Sequence, residues 1–221
     1  LPAALRARYE GKSGMAYFEA AAEAVVDFNR MVINAVGGLV PAVKPQFAFY
    51  EALGVPGWAA LTETCRMASE AGLLTIGDAK RGDISSTGAA YARAILDPEG
   101  PLGLDSVTLN PWMGIDTLDP FLDICRVHGR GVFVLVRTTN PGSAMLQHHG
   151  APTAATVVAQ ALHAAGQDTV GPSGMSSVGA VVGATAGADA AQMRAEMPAA
   201  WVLVPGVGAQ GGGAADAVAG A

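Results

Sequence analysis

Two carboxylates and one ammonium follow a short apolar run within residues 73–87. Asp78, Lys80 and Asp83 fall within six residues of a chain in which only 14% of the residues are charged. A solvated charged turn is the commonest origin of such a pattern. Flanking carboxylates, however, also keep an ammonium such as Lys80 protonated and fixed, and a fixed ammonium can deliver a proton to a carbon atom. The pattern therefore makes Lys80 a candidate proton donor.

These charges lie where a buried strand is predicted to end. The apolar run 73–77 is typical of a parallel strand that stops at Gly77. On an extended backbone, Asp78 and Lys80 point to the same side because they are two residues apart. A helix is predicted to follow at about 86–96. Parallel α/β folds place their chemistry at such carboxyl ends of strands.

Five further strands are predicted, and helices alternate with all six. The strands are expected at 39–44, 73–77, 105–109, 131–137, 178–182 and 201–204. This alternation indicates an α/β fold with a parallel sheet and right-handed crossovers. We expect a (β/α)8 barrel whose first and last strands lie outside these residues. A doubly wound open sheet of six strands is the alternative.

Composition limits the possible class of protein. The 221 residues fit a single domain, 1–221, which we expect to be incomplete at both ends because the chain starts at Leu1 and stops where a helix begins. A net charge of −6 argues against a nucleic-acid partner, and no apolar run approaches the ~20 residues that span a membrane. Cys65 and Cys125 are isolated in helical patterns, which favours reduced, buried thiols in the cytoplasm.

Polar residues follow successive predicted strands and would share one rim of a barrel. Lys44, taken alone, is more often a surface lysine. A run of glycines around Gln210 either forms a flexible turn or lets backbone N–H groups approach a phosphate. His148 and His149 lack the spacing of a metal site, and we assign no metal. The rim residues are Lys44, Asp78, Lys80, Asn110, Thr138, Thr139, Asn140 and Gln210.

The central stretch resembles the active-site signature D-x-K-x-x-D-I-x-x-T of the orotidine 5'-phosphate decarboxylase family. Every position is filled, and the wording Asp-Ala-Lys-Arg-Gly-Asp-Ile is similar to the longer-chain bacterial branch. The matching residues are Asp78, Lys80, Asp83, Ile84 and Thr87. The resemblance continues at Lys44, which would complete a Lys-Asp-Lys-Asp array, and at Thr139 in a Thr-Asn-Pro-Gly element whose hydroxyl would contact the pyrimidine. It also includes a Pro-Gly-x-Gly-x-Gln loop, in which Pro205 would lie beside the base, Gly208 in the phosphate-binding turn and Gln210 on the phosphate.

This resemblance implies decarboxylation of orotidine 5'-monophosphate to UMP and CO2 in pyrimidine biosynthesis. Lys80 would protonate C6, and no cofactor would be needed. It also implies a cytoplasmic homodimer in which Asp83, Ile84 and Thr87 reach into the neighbour's site. The family's first-strand Asp and last-strand Arg have no counterpart in these 221 residues. Two alternatives stay open: a Mg²⁺-dependent sugar-phosphate decarboxylase or synthase of the same superfamily, and a silent phosphate-binding barrel.

Overall fold

A computed structural model of the chain describes residues 1–184, 187–207 and 213–218. The strands are β1 (Ala42–Val43), β2 (Leu74–Arg81), β3 (Ser106–Leu109), β4 (Gly131–Arg137), β5 (Ser176–Val182) and β6 (Ala200–Leu203). The helices are α1 (Ala3–Arg6), α2 (Gly14–Val36), α3 (Phe47–Glu51), α4 (Gly54–Glu70), α5 (Ser85–Leu96), α6 (Asp119–His128), α7 (Ala144–Gln147), α8 (Ala154–Ala165), α9 (Ala188–Glu196) and α10 (Ala214–Val218).

The six strands form one parallel sheet in the order β1-β2-β3-β4-β5-β6. An open doubly wound sheet reverses its strand order at a switch point, and this sheet does not. Sequential order with right-handed crossovers instead keeps the helices on one face and lets the sheet curl into a barrel wall. The predicted α/β barrel architecture is confirmed over these strands, and the open-sheet alternative is wrong.

The core lies between the sheet and the helices. In β4 the side chains alternate, so that Val132, Val134 and Val136 are buried while their neighbours are half-buried. The buried set packs with Leu122 of α6 and Leu162 of α8. Burial of this apolar surface, at roughly 25 cal/mol per Å², holds the strand ends in fixed positions around the rim.

Most predicted elements are found within two residues of their expected ends, but two strands differ. β2 continues past Gly77 to Arg81, because its last residues still pair with β3. The predicted strand 39–44 shrinks to the pair Ala42–Val43. The charges of residues 78–81 therefore sit inside the end of a strand rather than in the loop after it.

Both cysteines are free and buried, as predicted. Burial raises the pKa of each thiol to about 12, so neither is poised to act as a thiolate nucleophile. Within the described ranges, none of the helices combines the length and the apolar character that crossing a bilayer requires.

Candidate active site

The Asp78 carboxylate is the centre of the polar cluster at the carboxyl ends of β1, β2 and β3. Its Oδ2 accepts hydrogen bonds from Lys44 Nζ at 2.6 Å and from Gln46 Nε2 at 2.7 Å. Its Oδ1 accepts from Lys80 Nζ and lies 3.1 Å from the Thr108 hydroxyl. Four groups from three neighbouring segments therefore fix one carboxylate.

The charge balance keeps Asp78 ionised. Its side chain is only 9% exposed, and burial by itself raises the pKa of a carboxyl group. The hydrogen bonds and positive charges of Lys44 and Lys80 outweigh burial, so the pKa of Asp78 lies below its ordinary value of 3.8. One carboxylate between two ammoniums leaves a net positive charge, which suits an anionic ligand or a developing carbanion.

Both ammoniums keep donors available for a ligand. Lys44 and Lys80 are 36% and 45% exposed, so each reaches from a buried strand end into the mouth of the site. An ammonium has three N–H donors, and within the described residues Asp78 is the only hydrogen-bond acceptor of each of these two ammoniums. The sequence has one other lysine, Lys12, which lies on the exposed stretch before α2.

A bulge in β2 aims the Lys80 side chain. Gly77 pairs with Val107 and Arg81 with Leu109, so three residues of β2 stand opposite Thr108 alone. Lys80 adopts φ +48°, a left-handed conformation that is uncommon for a residue with a side chain. The prediction that Asp78 and Lys80 share one side is correct, but the strand there is bulged rather than extended.

Two residues of this cluster, Gln46 and Thr108, were not predicted. Gln46 lies two residues after Lys44 and forms an isolated parallel bridge with Asp78. Thr108 is a polar residue between the buried Val107 and Leu109, and it is itself 1% exposed. Period-two spacing from a known site residue at each strand end is the signal that could have found both.

Arg81, the remaining cation of the stretch, points away from Asp78. Its guanidinium donates to the Ala79 carbonyl oxygen at 2.9 Å and to the Glu51 carboxylate at the end of α3. It also lies 5.6 Å from the centre of the Tyr91 ring. The next residue is a glycine, Gly82, because a Cβ atom at this position would lie only 2.5 Å from the Asn110 carbonyl oxygen. Arg81 and Gly82 thus fasten the end of β2 to its neighbours.

Asp83, Ile84 and Thr87 stand apart from the cluster. Within the described residues Asp83 has no ion pair; its Oδ1 accepts a hydrogen bond from the Ile84 N–H at 2.8 Å. Ile84 is 55% exposed and Thr87 is exposed on the first turn of α5. One chain therefore brings together Lys44, Asp78 and Lys80 but leaves Asp83 outside the group.

The segment after β4 is tied down by Arg137. This guanidinium donates to Asp189 of α9 at 3.0 Å, to the Ser143 hydroxyl at 2.7 Å and to the Gln147 side-chain oxygen at 3.2 Å. Thr139 is half-buried, with its methyl group against Gly183 after β5. The segment 138–150 thus contains α7, and Arg137 ties it to α9.

The remaining predicted positions follow β6. Pro205 is half-buried, and its carbonyl oxygen accepts a hydrogen bond from the Ala184 N–H at 2.9 Å. Gly208 and Gln210 lie outside the described residues.

His148 pairs with Asp189 at 2.9 Å. Among the described residues, no three His, Cys, Asp or Glu side chains gather into a group that could hold a metal ion.

Comparison with known proteins connects this geometry with one family. Residues 24–220 match the family model described as "Orotidine 5'-phosphate decarboxylase / HUMPS family". The chain is 43% identical over 204 residues to an orotidine 5'-phosphate decarboxylase of Rhodopirellula baltica, covering 90% of this chain and 68% of that protein. It is 44% identical over 185 residues to the enzyme of that name from Deinococcus radiodurans, covering 84% and 66%. The chain spans about two thirds of the length of these curated relatives.

Solved structures agree with the sequence comparisons. A Streptomyces avermitilis crystal structure assigned as an orotidine 5'-phosphate decarboxylase superposes with a TM-score of 0.82 at 36% identity, covering 98% of this chain and 73% of that one. Leishmania donovani OMP decarboxylase superposes with a TM-score of 0.71 at 37% identity, covering 84% and 70%. These chains share the overall fold of this chain. The chain belongs to the orotidine 5'-phosphate decarboxylase / HUMPS family.

Proposed function

We propose that the site decarboxylates orotidine 5'-monophosphate to UMP and CO2, in the last step of pyrimidine nucleotide synthesis. The observation that carries the proposal is the Lys44–Asp78–Lys80 group at the carboxyl ends of β1 and β2. Breaking the bond between C6 and the carboxylate leaves an electron pair on a ring carbon that has no conventional electron sink. A fixed cation beside that carbon lowers the energy of the transition state without a cofactor.

Lys80 supplies that cation and then the proton. Its ammonium is anchored by Asp78 at one N–H and retains two donors. As CO2 leaves, the positive charge stabilises the electron pair at C6, and one N–H proton then passes to that carbon. The product is UMP, and the lysine amine regains a proton from water. Because the ammonium is held in place before the reaction, little reorganisation is needed in the transition state.

Asp78 and Lys44 prepare this arrangement. The Asp78 carboxylate holds both ammoniums and would lie close to the substrate carboxylate, so that its negative charge favours loss of CO2. Lys44, held at 2.6 Å from Asp78 Oδ2, balances that charge and keeps the carboxylate from turning. Gln46 donates to the same oxygen. Removing either lysine would therefore disturb the position of the other through Asp78.

The nucleotide would be held by the segments after β4 and β6. Thr139 would contact the pyrimidine and Pro205 would lie beside it, while the glycine loop with Gly208 and Gln210 would bind the phosphate. Binding energy from the phosphate can be used in the transition state at the distant C6 atom. Closure of the loop over the nucleotide would also exclude water from the reacting carbon.

The partner subunit would complete the site. Ile84 is 55% exposed, and the apolar side chains of Trp112 and Met113 after β3 are 72% and 50% exposed at the same end of the sheet. Exposed apolar groups of this kind favour association with another chain. In a two-fold homodimer, Asp83, Ile84 and Thr87 of each chain would reach the Lys80 of the other.

The decisive test is decarboxylation followed by the loss of orotate absorbance, with EDTA present and absent. We expect turnover that is insensitive to EDTA. In Lys80→Ala, kcat should fall by at least about 1,000-fold, the range seen when electrostatic and acid catalysis are removed together. Lys12→Ala removes an equal charge outside the site and should leave turnover unchanged.

Two other results would redirect the assignment. Activity on a sugar phosphate that disappears with EDTA would indicate the Mg²⁺-dependent branch of the superfamily. Tight binding of UMP without turnover in the wild type would indicate a silent phosphate-binding barrel. Calorimetric titration with UMP, run beside the assay, separates this last case from a protein that has lost its fold.

Shared sites can be tested by mixing two inactive variants. Lys80→Ala and Asp83→Ala chains, mixed after unfolding and refolded together, should form hybrid dimers that contain one site with both residues intact. Random pairing predicts recovery of about one quarter of wild-type activity. Activity no higher than that of each variant refolded alone would contradict shared sites.

A further inference from the structure

Thr108 is the residue of β3 that faces the bulge in β2. Its side chain is buried, and a buried hydroxyl requires hydrogen-bond partners. The ladder register gives Asp78, Ala79 and Lys80 no separate partner residues on β3, because all three stand opposite Thr108. The Asp78 N–H donates to the Pro45 carbonyl oxygen at 3.0 Å, so the N–H groups of Ala79 and Lys80 must find hydrogen bonds by another route.

The Thr108 hydroxyl supplies that route. Its oxygen accepts hydrogen bonds from the Ala79 N–H at 3.0 Å and from the Lys80 N–H at 2.9 Å. A hydroxyl oxygen can accept two hydrogen bonds and donate one. Both acceptor positions are thus occupied by the backbone that carries Lys80, at the residue whose φ is +48°.

The hydroxyl hydrogen is left for one acceptor. Asp78 Oδ1 lies 3.1 Å from the Thr108 oxygen, and the Gly77 carbonyl oxygen lies 3.4 Å away. The carboxylate is both closer and charged, so it is the stronger acceptor. Oδ1 is also the oxygen that receives the Lys80 ammonium. One hydroxyl therefore contacts both the backbone of Lys80 and the carboxylate that anchors its side chain.

We propose that Thr108 is a positioning residue for decarboxylation: its hydroxyl holds the β2 bulge and the Asp78 carboxylate in the one arrangement that points the Lys80 ammonium at the reacting carbon. This inference rests on the proposed function. Thr108 acts through Lys80 and Asp78 and need not touch the substrate. Loss of the hydroxyl should therefore impair the chemical step more than nucleotide binding.

The test compares three substitutions in β3. Thr108→Val keeps the shape but removes the hydroxyl, and we expect kcat to fall about 10- to 100-fold, since a small misplacement of a catalytic group has an effect of that order. The dissociation constant for UMP should change much less than kcat. Thr108→Ser restores the hydroxyl and should recover most of the lost kcat.

Ser106→Ala is the matched control. It removes another buried hydroxyl from the same strand, one that lies 3.5 Å from the Thr75 carbonyl oxygen and whose residue pairs with Ile76, before the bulge in β2. Its kcat should equal that of the wild type. If both Ser106→Ala and Thr108→Val lower the thermal midpoint while kcat per UMP-binding site is unchanged in both, the role of Thr108 is structural and the inference is wrong.

Three further outcomes bear on the inference. If Thr108→Val does not fold, Thr108→Cys takes its place, because a thiol of similar shape is a weak donor and acceptor; wild-type kcat in that variant overturns the inference. If the wild type binds UMP but does not decarboxylate orotidine 5'-monophosphate, the proposed function and this inference are both wrong. An active wild type with an equally active Thr108→Val overturns the inference alone.

Discussion

Asp78 and Asp105 are carboxylates at opposite ends of the same sheet, and each is held by one or two cations and a threonine. Asp105, before β3, accepts from Arg130 at 2.7 Å and from the Thr75 N–H and hydroxyl at 2.8 and 3.0 Å. Asp78, at the far end of β2, is held between two lysines. The two carboxylates have similar partners, but the cations that hold them differ in the N–H donors that they leave available to a ligand.

At the amino end of the sheet, the charged groups bond with other groups of the protein. Arg130 is 20% exposed, and its bond to Asp105 joins the segment before β4 to β3, while Thr75 joins β2. At the carboxyl end, Lys44 and Lys80 are more than a third exposed and keep donors for a ligand. Both carboxylates form ion pairs, so the two ends differ in the exposure of the cations rather than in the presence of an ion pair.

The largest expected difference between the two carboxylates is catalytic. Asp78→Asn removes the charge that fixes both ammoniums and should lower kcat/KM at least about 100-fold. Asp105→Asn should leave kcat per folded site near the wild-type value, because it lies at the opposite end of the strands. Steady-state kinetics, normalised to UMP-binding sites, measures both. Equal losses in the two variants would contradict the division between the ends.

Stability should show the reverse order. Asp105→Ala leaves Arg130 and the Thr75 N–H without their partner, and we expect the free energy of unfolding to fall by about 2 kcal/mol. Asp78→Ala should change it by about 1 kcal/mol or less, because Lys44 and Lys80 are exposed enough for water to replace the carboxylate. Urea unfolding at neutral pH gives both values. A larger loss in Asp78→Ala would make Asp78 a structural group as well.

The smallest expected effect is on pH dependence. The folded-state pKa of Asp78 is below its ordinary value, so the ionised carboxylate adds stability above that ordinary value. This contribution is lost as the pH falls through the folded-state pKa. Asp78→Asn cannot ionise and should therefore lose less stability than the wild type between about pH 5 and pH 2. Urea midpoints measured across that interval provide the test, and parallel curves would contradict it.

Much of the fold was predictable because its signals are local. Apolar runs and helical periodicity located six strands and the helices between them, and the alternation of the two indicated a parallel sheet. The same runs placed Lys44, Asp78 and Lys80 at neighbouring strand ends, where the structure brings them together. The choice between barrel and open sheet was not local, because it depends on strand order.

The details of the site depend on residues far apart in the sequence. Thr108 is 28 residues from Lys80, and Gln46 is 32 residues from Asp78. Period-two spacing along each strand could point to both residues but not to the partners that they contact. The bulge that gives Lys80 its φ of +48° forms because three residues of β2 stand opposite one residue of β3. Arg137 and Asp189, which hold the segment after β4, are 52 residues apart.

The amino-acid types and their spacing are enough to predict which charges stand at the strand ends and in which order the strands and helices follow. Those properties are set by side-chain type and spacing, which act over a few residues. How the charges face one another depends on contacts between strands, since a hydrogen bond to Asp78 from a neighbouring strand requires the two strands to be aligned to within a fraction of an ångström. The direction of the Lys80 ammonium is therefore a property of the paired strands, and no single segment of the chain contains it.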